Sequence, residues 1–248
     1  MRILHLYQDI MNLYGEYGNM VLLAQVLNTC GISTEVVTCD LWERPDFSEA
    51  DFVYMGAGTE KNQKVVLTRL LEEKNLLQDY IFREGMALFT GNSFEILGAA
   101  IIDGEKKRWQ GLNILPFIVN QQRECRLTGD AVFSTYGIKN EVVGFINKCS
   151  YIEGIQTPCF QVLMGMGNEK GGSYEGICYK NIIGTHLTGP LLVKNPYFLL
   201  ELVNRLVKIE RGESLSEEER EALEKGILAR EIAAYNVTLR ELKKRIQK

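Results

Sequence analysis

The sequence predicts an α/β fold with a mostly parallel sheet flanked by helices, and three observations carry that expectation. Short apolar runs and longer amphipathic runs alternate over roughly the first hundred residues, the pattern of a doubly wound sheet. Of two such runs, Met86-Ala87-Leu88-Phe89 is apolar throughout, as a strand covered on both faces is, and Asp51-Phe52-Val53-Tyr54-Met55 reads as another strand. Both lead into glycine-containing turns, Gly56-Ala57-Gly58 and Gly91-Asn92-Ser93, which cannot continue a strand.

In chain order, residues 3–7 read as the first strand, 15–19 as a turn, and 20–27 as a helix that stops at Cys30-Gly31. Residues 34–38, with Val36-Val37, form the second strand, and 51–55 the third. Two amphipathic helices follow at 64–76 and 78–83, then the strand at 86–90. In such a sheet ligands sit at the carboxyl ends of the strands. Those ends carry Gln8-Asp9, Gly56-Ala57-Gly58-Thr59-Glu60 and Thr90-Gly91-Asn92.

The second half adds strand signals at 126–133, 141–146 and 176–179, and a glycine-rich hairpin or loop at 165–176. That loop is too short and polar for a phosphate cradle of the Walker type. Residues 182–190 read as a strand leading into a loop, and Asn195-Pro196 opens a helix through 207. The last segment is highly charged, and Ser214-Leu215-Ser216-Glu217-Glu218-Glu219 opens it with an N-cap followed by acids in the first turn. It reads as one long helix, with Leu223, Ile227, Ile232 and Leu239 as a seam against the body or a partner. The expected organisation is a domain over residues 1–209 and a helical extension over 210–248.

Composition narrows the function. With 46% hydrophobic and 24% charged residues, the 248-residue chain is globular in class. A net charge of -4 and the absence of a basic patch argue against nucleic acid as the main partner. No apolar run reaches the roughly 20 residues that span a bilayer, and the N-terminal run is too short for a signal peptide. Six scattered cysteines without a CxxC pair fit reduced thiols better than a disulfide frame or a zinc site, so a cytoplasmic location is expected and no metal or cofactor.

The stretch Met86 to Gly98 organises the rest: a buried strand, a tight turn and an immediate helix. That is the geometry of a nucleophile elbow, which holds one side chain out at the sheet's carboxyl edge. At the apex stands Gly91, which has none.

Several separated stretches resemble the class I glutamine amidotransferases of the cobyric acid synthase type, and among them the glutaminase subunits of lipid II isoglutaminyl synthases. They are Asn12-Leu13-Tyr14-Gly15-Glu16-Tyr17-Gly18-Asn19, Gly56-Ala57-Gly58-Thr59-Glu60-Lys61-Asn62-Gln63, Arg126-Leu127-Thr128-Gly129-Asp130, and residues 184–196. The resemblance implies a flavodoxin-like fold and a cysteine at the elbow that attacks the side-chain amide of glutamine. It also implies a histidine base, and a Mur-ligase-like, ATP-dependent partner that receives the ammonia.

Where the family's elbow reads Cys-Gly-Gly-Tyr-Gln-x-Leu-Gly, this chain has Gly91-Asn92-Ser93-Phe94-Glu95-Ile96-Leu97-Gly98, so the cysteine position is Gly91. Where the family has Gly-Thr-Tyr-x-His-Gly-Pro, this chain has Gly184-Thr185-His186-Leu187-Thr188-Gly189-Pro190, so the base position is Thr188. His186 lies two strand residues away, about 6–7 Å along the chain. A further family stretch, Gly-Phe-Glu-Asn-His-x-Gly-Arg, appears as Gly144-Phe145-Ile146-Asn147-Lys148-Cys149-Ser150-Tyr151, without its acid and its histidine.

Binding features remain. By the resemblance Arg126 holds the ligand's α-carboxylate, for which a bidentate guanidinium is suited, with Gly58 and Asn92 beside it. Ser93 is expected to cap the helix. Cys125 and Cys149 are expected to be structural thiols, His186 a hydrogen-bonded strand histidine, and Glu60 and Glu95 ordinary acids at helix starts. The reading is a catalytically degenerate amidotransferase subunit that binds a partner. The alternatives are a glutaminase using an unidentified residue and an amino-acid-binding sensor.

Overall fold

The computed structural model describes residues 1–135 and 137–246. Its centre is a six-stranded sheet. Strands β1 (Arg2–Leu6), β2 (Glu35–Cys39), β3 (Phe52–Met55) and β4 (Met86–Thr90) run parallel in the order β2-β1-β3-β4. Later in the chain β14 (Ile182–Thr185) joins β4 in parallel, and β13 (Ile177–Tyr179) closes that edge antiparallel to β14. Side chains alternate between two cores, as strand geometry requires. Ile3, Phe52, Tyr54, Met86 and Leu88 pack under α1 (Tyr17–Thr29) and α5 (Pro196–Arg211). Leu4, Leu6, Val53, Met55, Ala87 and Phe89 pack under α2 (Glu60–Glu72) and α3 (Lys74–Phe82). Both faces of β3 and β4 are therefore covered, which is why these two strands read as continuous apolar runs, while β2 at the sheet edge is largely exposed.

A four-stranded sheet, β10-β7-β5-β6, follows the elbow: β5 (Ala100–Ile102), β6 (Arg108–Gln110), β7 (Ile118–Gln121) and β10 (Ser150–Glu153). A five-stranded sheet, β12-β11-β8-β9-β15, supplies the other wall of the carboxyl edge: β8 (Leu127–Thr135), β9 (Ile138–Lys148), β11 (Phe160–Met164), β12 (Tyr174–Glu175) and β15 (Leu187–Thr188). Chain returning from β15 makes the short helix α4 (Leu191–Lys194) and then α5.

Several expectations need correction. Residues 17–19 are the first turn of α1 and not a separate turn; the Tyr17 N–H is held by Asn12 Oδ1 at 2.8 Å. Helix α2 begins at Glu60, four residues before the expected start, because Thr59 caps it by accepting from the Asn62 N–H at 3.1 Å. After the elbow the chain makes a seven-residue 3-10 helix (Gly91–Leu97) in place of an α-helix. The C-terminal segment is two helices, α6 (Glu217–Lys225) and α7 (Ala229–Ile246), because Gly226 leaves helical geometry at φ -99 and ψ -106. The expected N-cap is Ser216, which forms a capping box with Glu219.

The expected seam faces the body: Leu223 is buried in the core that contains α1 and α5, with Ile227 and Ile232 packed against it, and Leu239 packs beside Tyr235 and Leu242 of α7. Tyr235 and Leu242 are buried against Val132 of β8 and Val143 of β9, and the Tyr235 hydroxyl donates to the Glu141 carbonyl at 2.7 Å. Arg245 pairs with Asp130 at 2.6 Å and Lys243 with Glu141 at 2.5 Å. The division placed at residue 209 falls in the last turn of α5. No described helix is long and apolar enough to cross a membrane.

Candidate functional site

The carboxyl edge of the central sheet opens into a cleft of about 270 Å³ between the elbow and the five-stranded sheet. Strand β4 ends at Thr90, and Gly91 turns the chain with φ +63. Glycine adopts that conformation without steric cost, and the turn swings residue 91 outward. Gly91, Asn92 and Glu95 form one wall, Ala57 and Gly58 from the β3–α2 loop a second, and Arg126, Asn147, Lys148, Cys149 and Thr188 the third. Gly91, Thr188, Arg126, Gly58 and Asn92, far apart in sequence, thus line a single cleft.

The apex carries no reactive atom. A Cβ built on Gly91 would lie far inside contact distance of the Ala57 Cβ and 3.2 Å from Thr188 Cγ2. Thr188 turns its methyl toward Gly91 and donates its hydroxyl to the Phe145 carbonyl at 3.0 Å. Ser93 is fully buried and lies 2.7 Å from the Thr90 carbonyl and 2.9 Å from that of Met55. It makes no capping bond, contrary to expectation. The reason is direction: in the tight 3-10 turn its side chain points back at the strand ends rather than along the helix axis.

Cys149 lines the cleft, where burial, with the nearby Glu60 and Glu95 carboxylates adding to it, pushes its thiol up to about 12. It donates to Glu60 Oε1 at 3.4 Å and is a protonated thiol at neutral pH. Cys125 is exposed and does not line the cleft. Among the described residues, the cleft lining includes no histidine, and no group of acids, histidines and cysteines is placed to hold a metal.

Arg126 is already engaged. Its guanidinium donates to Glu60 and, at 2.8 Å, to Asn147 Oδ1, and Asn147 in turn donates to the Tyr14 hydroxyl at 2.7 Å. The cleft mouth is therefore lined by a cation and an anion side by side, with the Arg126 side chain 45% exposed. Glu60, expected as an ordinary helix-start acid, is a member of the cleft.

Behind the apex the site is densely bonded. Glu95 is 1% exposed and accepts from Ser150, from Gln63 Nε2 at 2.6 Å, from Gln121 Nε2 at 3.4 Å and faces His186 Nε2 at 3.1 Å. Burial pushes its carboxyl upward, but His186, Ser150 and Gln63 outweigh that and hold it below the usual range. On its other side His186 faces Glu175 Oε1 at 3.2 Å, and Glu175 also accepts from Thr185 Oγ1 at 2.7 Å. Carboxylate oxygens only accept, so both imidazole contacts are hydrogen bonds only with a proton on each ring nitrogen. Lys148, 3% exposed, donates to the Gly167 carbonyl at 2.7 Å; burial draws its ammonium down, against the pull of Glu175 and Glu95. His186 is hydrogen-bonded as expected, in the link between β14 and β15, and it does not line the cleft.

A second buried carboxylate, Glu16, sits under the Thr188–Pro190 turn. It accepts from Thr90, from the Tyr54 hydroxyl at 2.6 Å and from the Gly189 N–H at 2.6 Å. Burial nonetheless raises its carboxyl above the usual range. Ala57, Gln63, Gln121 and Glu16 were not singled out in the sequence, although Glu16, Ala57 and Gln63 lie inside the stretches that carry the resemblance. An acid between Phe94 and Ile96 in a seven-residue turn was the available signal for Glu95.

The chain is similar to known amidotransferases along most of its length. The CobB/CobQ-like glutamine amidotransferase domain matches residues 2–196. The glutamine-hydrolysing lipid II isoglutaminyl synthase subunit GatD of Streptococcus pneumoniae is 28% identical over 217 residues, 87% of this chain and 84% of that protein. Its namesake from Staphylococcus aureus is 33% identical over 196 residues, 78% of this chain and 79% of that protein. Among solved structures, a glutamine amidotransferase from Thermotoga maritima superposes with a TM-score of 0.53 at 13% identity, covering 99% of this chain and 97% of that one. Another glutamine amidotransferase gives a TM-score of 0.53 at 11% identity, covering 81% of this chain and 98% of that one. The structural likeness carries the fold, which is that of class I glutamine amidotransferases. With the domain match running over most of its length, the chain belongs to the CobB/CobQ-like glutamine amidotransferase family.

Proposed function

We propose that this chain is the amidotransferase-type subunit of a complex with a Mur-ligase-like, ATP-dependent partner that amidates lipid II during peptidoglycan synthesis. Within that complex it does not hydrolyse glutamine by a cysteine–histidine route. The likeness to two GatD subunits along most of their length supports the first half. One observation carries the second: Gly91 stands at the elbow apex, where hydrolysis of a carboxamide requires a thiolate beside a base. The neighbours do not replace it, since Thr188 spends its hydroxyl on the Phe145 carbonyl and Cys149 holds its proton. The role left to the subunit is binding: it docks on the ligase and holds it in a working arrangement. Free cysteines in the described chain fit a reducing, cytoplasmic setting.

The test is amidation by the complex reconstituted with the Mur-ligase-like protein that co-purifies with this chain, supplied with either ammonium or glutamine as nitrogen donor. Amidation of lipid II with ammonium and not with glutamine is the expected result. Equal rates with both donors would refute the degenerate reading, and no co-purifying ligase would refute the partner reading.

A further inference from the structure

An elbow that works on a carboxamide needs two empty places: one at the apex for the acyl carbon, and one beside it for the oxygen. The donors for that oxygen are the backbone N–H of the residue after the apex and an N–H from the loop following a neighbouring strand. Here those elements are Asn92 and the Gly56-Ala57-Gly58 loop after β3. Both places are filled by the chain itself. The Ala57 methyl occupies the space in front of Gly91. The Gly58 N–H donates to Asn92 Oδ1 at 3.0 Å, so the side-chain carboxamide of Asn92 sits on the donor that a ligand's carboxamide oxygen would use.

The plug is held from both sides. The Asn92 carbonyl accepts from Gln63 Nε2 at 2.6 Å, and Gln63 is itself tied to Glu95 at 2.6 Å and to Gln121 at 2.8 Å, so Asn92 is anchored to the buried back wall. The Ala57 carbonyl accepts from the Leu13 N–H at 2.9 Å, which fixes the loop that presents the methyl. Ala57 has no torsion by which to withdraw.

We propose that Ala57 and Asn92 are specificity-determining residues that close the amide end of the cleft, Asn92 acting as a built-in stand-in for the ligand's carboxamide. The cleft then rejects glutamine. It leaves the Glu60–Arg126 mouth for a compact zwitterion, an α-amino acid whose side chain stops short of Gly91. This rests on the degenerate reading of the site and goes beyond it, since an elbow without a nucleophile has no need to refuse the substrate.

The experiment is calorimetric titration of L-glutamine and L-alanine into the native chain, Asn92→Gly, and Ala57→Gly/Asn92→Gly, with glutamate release followed in the same samples. The native chain is expected to bind alanine and to show no saturable glutamine binding. Freeing the Gly58 donor and the apex should strengthen glutamine binding at least about tenfold, one net hydrogen bond's worth. Glutamine binding by the native chain as tight as by the double variant overturns the inference, as does a folded double variant that gains none. Failure of the native chain to bind alanine overturns the assigned ligand class. Asn92→Gly, which removes one part-buried hydrogen bond, serves if the double variant does not fold. Glutamate release by the native chain would bring down the proposed function instead; binding without release brings down only this inference.

Discussion

The front and the back of the cleft are built on opposite terms. At the front, Gly91 offers no side chain, Thr188 presents a methyl, and Ala57 fills the gap between them. Behind it, Glu95, His186, Glu175 and Lys148 are all buried, and each has its polar atoms matched by partners from three sheets and α2. The difference follows from what each change costs. Removing one member of the back wall strands a buried charge. At the apex the arithmetic is reversed: a non-glycine residue at positive φ costs on the order of 1–3 kcal/mol, and glycine removes that strain. Chemistry can thus leave the elbow while the scaffold behind it is retained, and the apex and the network separate as a site of function and a site of stability.

The largest effect expected is on the back wall. Glu95→Gln keeps the shape but leaves His186 with Glu175 as its one remaining carboxylate partner, and should cost about 3 kcal/mol of stability in denaturant unfolding at neutral pH. Its pH dependence has a definite sign. The folded-state carboxyl lies below its ordinary 4.5, so its contribution is fully present above that pH and is lost as pH falls through the folded value. The native chain should therefore weaken on acidification below about 4.5 more steeply than the variant. Equal acid limbs would assign the network no electrostatic role.

At the front, Gly91→Ala should cost about 2 kcal/mol, since it combines positive φ with the clash against Ala57. Adding Ala57→Gly should return about 1 kcal/mol of it, a coupling that a double-mutant cycle reads directly. Purely additive effects would show that the Ala57 methyl does not limit the apex. The smallest effect lies away from the cleft. Tyr235→Phe removes the bond to the Glu141 carbonyl and should cost about 1 kcal/mol without changing ligand binding. A larger loss, or altered binding, would mean that α7 supports the cleft as well as the sheet beneath it.

Much of this was legible in the sequence, for identifiable reasons. Strands β3 and β4 are covered on both faces, and continuous apolar runs announce them within a residue; β1 and the largely exposed edge strand β2 were read from shorter apolar stretches and fall within a residue of the expected bounds. The elbow was visible because Met86 to Phe89 runs straight into Gly91 and Asn92. The four-stranded sheet was not, because β5, β6 and β7 are three or four residues long, below the length at which alternation can be read. The break at Gly226 was missed because a lone glycine in a charged, helix-forming segment does not by itself end a helix. At the site, the positions that converge were named from the resemblance, but their partners were not. That Glu60 pairs with Arg126, or that Asn92 reaches back to Gly58, depends on loops brought together by the fold. Ala57 was passed over because a methyl group has no chemistry, and here its volume is what matters.

The central claim is that an elbow with Gly91 at its apex does not hydrolyse glutamine, and glutamate release tests it most directly. The native chain, bound to the ligase that co-purifies with it, would be assayed beside Ala57→Gly/Gly91→Cys/Thr188→His, in which the methyl is removed as the thiol and imidazole are supplied. No glutamate from the native complex and measurable glutamate from the triple variant is the predicted result. Glutamate from the native complex at a rate above that of the ligase alone would mean that a nucleophile outside this account does the chemistry.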